Sequence, residues 1–492
     1  MNIIVLGAGT AGLVAALMVK EKYPLYNVTI IKSGDIGIIG VGEGSTEHWR
    51  QFMEFIGIDP FELIYKTKAT VKIGILFKDW IKDHEYVHTV GTHTASPLRR
   101  LDMYHHMYLN SQNEKFPLSP GFEGSFYVNR VPVTNNLNVS NQFHFDTFSL
   151  NEYLKQLCLK RDIAIVDAVI TNVLQDDHGN ITSLKSESNI FTGDLFIDCS
   201  GLKRVISSKL NNKFVSMVDF LPMNHAIAFP TEHDNPIEIE PYTLTTALSS
   251  GWMWKIPTQE RYGNGYVFSD HYINADQALG EASKHLGKNI EKAAKDIKFT
   301  AGRVEKFWDK NVVCVGLSSS FAEPLEAQSI GFTIIQTFAL LDTLDQWPTN
   351  INVVKKYNDR MIKCFNNIVD YLQAHYLTER CDTDFWKNKP FKLTDFNQEN
   401  LPFFKQGSIL PSMFDSEELM FKVANWYQVI GGLGLIDKNS LNDTLAANRI
   451  IFNQTNAEYA MNIRKNSKKA ALMSHKQHID LINFNYKLNN EN

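Results

Sequence analysis

No apolar run in this chain approaches the roughly 20 residues that a membrane span requires, although 44% of its 492 residues are hydrophobic. Met1 stands directly before the first strand-like run, which leaves no room for a signal peptide, so a cytoplasmic protein without a membrane partner is expected. Cysteine is sparse: Cys158, Cys199, Cys314, Cys364 and Cys381 show no CxxC spacing, which argues against zinc and against a disulfide framework. Reduced, structural thiols are expected. A net charge of −5 with no long basic run gives no electrostatic case for nucleic acid. His84, His88, His93, His105 and His106 come close together, but HExxH and acids at ligand spacing are missing, so no metal is expected. There is no internal repeat. The length holds roughly three average domains or two larger ones.

What is present starts at the N-terminus. Asn2 to Leu6 is a short apolar run followed at once by Gly7-Ala8-Gly9-Thr10-Ala11-Gly12, so the glycines fall where a strand should turn into a helix. There Gly7 permits the tight turn, Gly9 lets backbone approach a pyrophosphate, and Gly12 lets helix and strand pack closely, leaving helical N–H groups aimed at the anion. A helix to Lys22 and a strand from Val28 to Ile31 complete the βαβ unit. A dinucleotide site is predicted. The acid that usually ends the second strand and binds the adenosine ribose is replaced by Lys32 and Ser33, which removes support for NAD.

Further along, Ile36 to Thr46 is glycine-dense, and such a loop lets backbone lie against a flat ligand. Trp49 to Ile56 has helical spacing. Thr70 to Trp80 alternates as one strand, with Lys72, Gly74, Leu76 and Lys78 on one face and Val71, Ile73, Ile75 and Phe77 on the other. Taken alone, Lys72 reads as a solvated lysine. Asp146 or Ser149 is placed to cap a helix from Leu150 to Leu159, and strands are predicted over 164–174 and 181–186. Gly193 to Gly201 reads as a buried strand ending in small residues, where open α/β sheets bind ligands. As a strand, Gly251 to Pro257 puts Trp252, Trp254 and Ile256 on one face, either an apolar wall or ordinary core. A strand over Val312 to Val315 leads to Pro324 and Glu326 at a helix start, with Ile330, Ile334, Phe338 and Leu341 as its buried stripe. A carboxylate there compensates the helix dipole, and the same N-terminus can hold a halide or a flavin carbonyl. Helical periodicity dominates from about Thr343. The chain thus divides into an α/β dinucleotide-binding domain with an inserted sheet, 1–342, and a mostly helical domain, 343–492. Gly431-Gly432-Leu433-Gly434 lacks a preceding strand and is no second nucleotide motif. The tail beyond Ser467 reads as a peripheral helix or a partly loose segment.

Together these residues resemble the flavin-dependent tryptophan-halogenase family along nearly the whole chain. The carrying motifs are the glycine turn at 7–12, Gly40-Val41-Gly42-Glu43, Lys72-Ile73-Gly74-Ile75-Leu76-Phe77, His144-Phe145-Asp146 and Asp198-Cys199-Ser200-Gly201. They continue with Trp252-x-Trp254-x-Ile256-Pro257, Gly316-Leu317-Ser318-Ser319 running into Pro324-Leu325-Glu326, Asp382-Thr383-x-Phe385-Trp386, and Trp426-Tyr427. The composition also looks like that of a phage-encoded member. The resemblance implies a Rossmann-type FAD-binding domain of the flavin monooxygenase/halogenase kind. FAD, used as FADH2, would be contacted by Gly7, Gly9, Thr10, Ala11, Gly12, Gly40, Val41, Gly42, Glu43, Asp198, Gly201, Gly316, Leu317 and Ile330.

The activity implied is halogenation of an aromatic small molecule. Flavin C4a-hydroperoxide, formed with O2, would oxidise halide to hypohalous acid, while Trp252, Trp254, Ile256 and Pro257 wall the flavin off from the substrate. Lys72 would hold the oxidant by hydrogen bond or as a haloamine, and Glu326 would orient it or remove the ring proton. Halide would sit by Gln328 and Ser329, where Ala327-Gln328-Ser329 replaces the family's frequent Ser-Thr-Gly, and Lys32 replaces its usual ribose acid. A separate flavin reductase is implied as partner; homo-oligomerisation is left open. An aromatic hydroxylase is the main alternative, but it needs substrate beside the flavin, which the wall opposes. A non-catalytic flavin-binding protein is the other, against which the presence of both Lys72 and Glu326 counts.

Overall fold

The computed structural model of the chain describes residues 1–34, 42–89, 130–132, 142–409, 411–414, 419–437, 439–440, 443 and 472–490. Gly40 and Val41, expected against the flavin, and His93, His105 and His106 lie outside the described residues.

The N-terminal strand Asn2–Leu6 sits inside a six-stranded sheet. Its parallel neighbours are Asn27–Lys32 and Leu195–Asp198, and Ala164–Asp167 and Val312–Cys314 extend the parallel set on either side. Alternation along the first strand sends Ile3 and Val5 into one apolar cluster and Ile4 and Leu6 into another, so both faces are covered, as a parallel sheet requires. The helix Thr10–Lys22 packs on the first of these faces and buries every residue from Gly12 to Val19.

A second, seven-stranded sheet carries the tryptophan strand Gly251–Pro257 between Tyr242–Leu248 and Tyr262–Phe268. Tyr242–Leu248 pairs in parallel with Gly74–Lys78, which pairs antiparallel with Glu85–Thr89. The single strand expected over Thr70–Trp80 is broken. Thr70–Val71 belongs to a small sheet with Phe143–Phe145 and Glu43–Gly44, and only from Gly74 does the chain enter the large sheet. Between them the Lys72 N–H donates to the Gln142 carbonyl at 2.9 Å and the Ile73 N–H to the Pro241 carbonyl at 2.7 Å. Lys72 therefore stands at a junction of two sheets. The strand expected over 164–174 splits in the same way, into Ala164–Asp167 of the parallel sheet and Asn172–Gln175 of a separate antiparallel one.

The helices Gln328–Leu344 and Asn352–His375 follow. The domain boundary expected at 342/343 falls in the last turn of the first of these, and residues as distant as Ile3, Trp252, Phe365, Trp426 and Ile482 share one apolar cluster. The boundary marks a change of secondary structure around a common core. The C-terminal helix His475–Asn490 lies at the periphery as expected and docks through one face, with His475, His478, Ile479 and Ile482 buried and Phe484 and Leu488 exposed. Among the described residues no helix is long and apolar enough to cross a membrane.

Candidate active site

The glycine turn divides its work as its spacing implies. Gly7 has φ +114°, and a Cβ on it would lie 2.2 Å from the Cys199 carbonyl oxygen; one on Gly12 would lie 1.9 Å from the Gly7 carbonyl oxygen. Beside Gly9 there is open space, with nothing within 4 Å of such an atom. The helix behind Gly9 has no side-chain cap, so its first N–H groups are available to an anion. Thr10 and Ala11 form that first turn, and a Cβ on Gly316 would lie 2.5 Å from the Ala11 Cβ. The 198–201 and 316–317 segments are thereby brought against the glycine turn. Asp198, expected against FAD, is engaged within its own turn. One of its oxygens accepts from the Ser200 N–H and hydroxyl and the other from the Ile206 and Ser207 N–H groups, so this carboxylate holds the turn after its strand. Gly201 is open like Gly9.

At the end of Asn27–Lys32, the neighbouring strand supplies an acid that the linear sequence does not. Asp167 pairs with Lys32 at 2.5 Å and accepts from the Gly34 N–H at 3.0 Å. Ser33 Oγ and Glu43 Oε2 are buried polar atoms without a hydrogen-bond partner among the described residues, and burial, with Asp146 nearby, pushes the Glu43 carboxyl up to about 7. Open space at Gly9, an uncapped helix and two orphaned polar atoms fit a dinucleotide.

Trp252 is buried, and its ring lies 6.0 Å from that of Trp254. Trp254 lies over Gly265, where a Cβ would meet the indole at 2.1 Å. At Gly42 a Cβ would sit 3.7 Å from Ile256 Cγ2, and at Gly44 one would sit 3.3 Å from both Lys72 Nζ and Ala327 Cβ. Residues 42–46 thus run from the wall to Lys72. Pro257 completes the link, its carbonyl accepting from Thr70 Oγ1 at 2.6 Å.

Lys72 is 1% exposed, which overturns its reading as a solvated lysine. Its ammonium donates to the Ser45 carbonyl at 3.0 Å. Burial lowers its pKa to about 8, while the charge of Glu326 raises it. Glu326 is buried as well, its carboxylate 2.8 Å from His88 Nδ1 through either oxygen and 3.0 Å from His375 Nε2. Burial pushes its pKa upward, but the two histidines outweigh burial and hold it well below the usual carboxylate range. The proton inventory follows from the partners. Asn425 Oδ1 accepts from the Lys422 N–H, so Asn425 Nδ2 faces His88 Nε2 at 3.1 Å and His88 Nδ1 carries the hydrogen donated to Glu326. His375 Nδ1 donates to the Tyr371 carbonyl at 3.0 Å. One further proton therefore lies between His375 Nε2 and Glu326.

Residues 2–448 match the family model described as tryptophan halogenase. The chain belongs to the tryptophan halogenase family. It is 30% identical to the tryptophan 6-halogenase ThaL of Streptomyces albogriseolus, over 89% of this chain and 90% of that one. It is also 30% identical to the tryptophan 7-halogenase RebH of Lentzea aerocolonigenes, over 88% and 90%. Among solved structures, the flavin-dependent halogenase BrvH from Brevundimonas sp. BAL3 superposes with a TM-score of 0.82 at 25% identity, covering 98% of this chain and 99% of that one. The protein is an enzyme, a flavin-dependent halogenase.

Within this halogenase the start of the helix at 328 departs from expectation. Pro324 does not open it. Leu325–Ala327 is a 3₁₀ turn, Glu326 and Ala327 take φ of 67° and 54°, and the α-helix begins at Gln328. Two consecutive left-handed residues lift Glu326 out of the helix and into the His88–His375 pair. Gln328 Nε2 is spent on the Glu323 carbonyl at 3.1 Å, and the first-turn N–H groups at Gln328 and Ser329 have no side-chain cap. Ile330 follows, buried. Sequence reasoning missed His88 and His375 as partners of Glu326. His88 had been grouped only with metal candidates, and no His, Cys, Asp or Glu cluster among the described residues is suited to a metal. Alternation gave no signal: His88 pairs with Ile75, which an unbroken strand over Thr70–Trp80 would place on the face opposite Lys72.

Proposed function

We propose that this enzyme uses FAD as FADH2, with O2 and a halide, to form hypohalous acid, and that Lys72 and Glu326 deliver it to an aromatic small molecule. The observation that carries this reading is a buried lysine and a buried carboxylate, electrostatically coupled, with Gly42 beside Ile256 of the tryptophan strand and Gly44 beside the lysine. Bound FADH2 would supply, with O2, the oxidising equivalent. Gly7, Gly9, Thr10, Ala11, Gly12, Gly42, Glu43, Gly201, Gly316, Leu317 and Ile330 would hold it, and the amides at Gln328 and Ser329 would hold halide. Trp252, Trp254 and Ile256 keep the organic substrate away from the flavin, which favours halide oxidation over ring hydroxylation. Lys72 donates a hydrogen bond to hypohalous acid. Glu326, charged and tied down by two histidines, keeps that lysine protonated and oriented; a carboxylate held so far below its usual range is a weak general base. A mass-spectrometric screen of aromatic compounds, indole and tryptophan first, against chloride, bromide and iodide with a flavin reductase supplied tests the activity. Lys72→Ala tests the mechanism. It should abolish halogenated product while a diffusible trap still reports hypohalous acid. Near wild-type product from Lys72→Ala would overturn the role given to the lysine.

A further inference from the structure

The short strand Thr70–Val71 ends beside Lys72, and the hydrogen bond that occupies its Val71 N–H comes from the far end of the chain. That N–H donates to His475 Nε2 at 3.0 Å. The other ring nitrogen of His475 lies 3.1 Å from the Ile239 carbonyl oxygen. A carbonyl only accepts, so Nδ1 carries the hydrogen and Nε2 offers its lone pair to Val71. The imidazole is fully buried, and both of its nitrogens are satisfied. A second link runs from the same helix. Asn483 Nδ2 donates to Gln259 Oε1 at 2.9 Å, and Gln259 Nε2 donates to the Ala69 carbonyl at 2.8 Å. The C-terminal helix therefore grips the chain on both sides of Thr70, the residue whose hydroxyl reaches Pro257 of the wall.

We propose that the helix His475–Asn490 is a strut, and that His475 is a positioning residue that fixes the Lys72 backbone where the chain passes from one sheet to the other. The inference rests on the reading of Lys72 given above. At this junction the main chain has left one ladder and not yet entered the next; the Lys72 and Ile73 N–H groups are held by the Gln142 and Pro241 carbonyls, and the His475 bond to the Val71 N–H fixes the residue just before the lysine. An ammonium that must meet the Ser45 carbonyl and the field of Glu326 while presenting a hydrogen to a small oxidant tolerates little displacement.

The test compares His475→Phe, which keeps a buried ring and loses both hydrogen bonds, with His475→Gln, whose amide can accept from Val71 and donate to Ile239. Bromide and indole are the probes, and each variant is scored for halogenated product per trapped hypohalous acid. In His475→Phe this ratio should fall roughly 10- to 10²-fold, with FAD binding and trapped oxidant unchanged, and His475→Gln should recover most of it. If His475→Phe does not fold, Asn483→Leu severs the second link and should lower the same ratio by a smaller factor. A wild-type ratio in the folded variants, or a parallel loss of oxidant and product, overturns the strut. Lys72→Ala run alongside separates the failures: product from that variant defeats the reading of Lys72, whereas its loss beside an unaffected His475→Phe defeats the strut alone.

Discussion

Because burial lowers the Lys72 ammonium to about 8 while Glu326 raises it, the protonation state of the lysine decides which task it performs. The charged form donates a hydrogen bond; the neutral form is a nucleophile that would be converted to a haloamine. At neutral pH the charged form prevails, so product formation should fall as pH rises through about 8, while trapped hypohalous acid does not fall with it. Glu326→Gln removes the charge that raises the lysine, so the falling limb should move to lower pH. The amide keeps a hydrogen-bonding group, and the late step should slow by less than the roughly 10²- to 10⁴-fold loss expected for a general base. Product per oxidant measured from pH 6 to 9 in both enzymes checks this. A limb that rises through pH 8 would assign Lys72 to haloamine chemistry, and a limb unmoved by Glu326→Gln would uncouple the pair. Lys72 and Glu326 were both legible in the sequence through their motifs. Their partners were not: His88, Glu326 and His375 are 238 and 49 positions apart at successive steps, and only sheet order and the left-handed turn at Glu326 bring them together.

At the scale of elements, local pattern gave the strands and helices that open the chain, the Asp146 cap, whose carboxylate accepts from the Ser149 N–H at 2.9 Å, and the tryptophan strand. It failed where one alternating run serves two sheets, as at Thr70–Lys78, since alternation records burial on each face and carries nothing about which sheet covers it. The tryptophan strand is where an element's role can be tested. Trp252 is 1% exposed and its truncation would open a cavity costing roughly 3–5 kcal/mol, so a loss of activity there mixes stability with chemistry. Trp254 is less buried and lies over a glycine. Trp254→Ala should therefore fold, keep forming hypohalous acid, and lose product because oxidant escapes or decays before it reaches the lysine. Product yield equal to wild type with indole and bromide would reduce the wall to ordinary core.

Over the whole molecule the described residues hold one glycine turn between a parallel strand and a helix. The second glycine run serves packing and helix termination: a Cβ on Gly432 would lie 2.2 Å from the Tyr86 ring, and Gly434 takes φ +65° just past the helix Val423–Gly432. A flavin and a nicotinamide cofactor would each need a cradle, so the reducing equivalents of this halogenase should arrive as FADH2 made elsewhere. The ribose end of the cradle points the same way. Lys32 stands where an acid is usual, and among the described residues the carboxylate paired with it, Asp167, is exposed and already shared with Lys32 and Gly34, which suits a flavin that exchanges with a reductase. Turnover should require a separate flavin reductase or chemically reduced FAD, and purified protein should lose FAD readily. Asp167→Asn, which removes the carboxylate paired with Lys32, should weaken FAD binding further, as read by flavin fluorescence titration, without altering product per oxidant once FADH2 is saturating. Efficient oxidation of NADH or NADPH by the purified chain alone would defeat the single-cradle argument, whatever the titration gives.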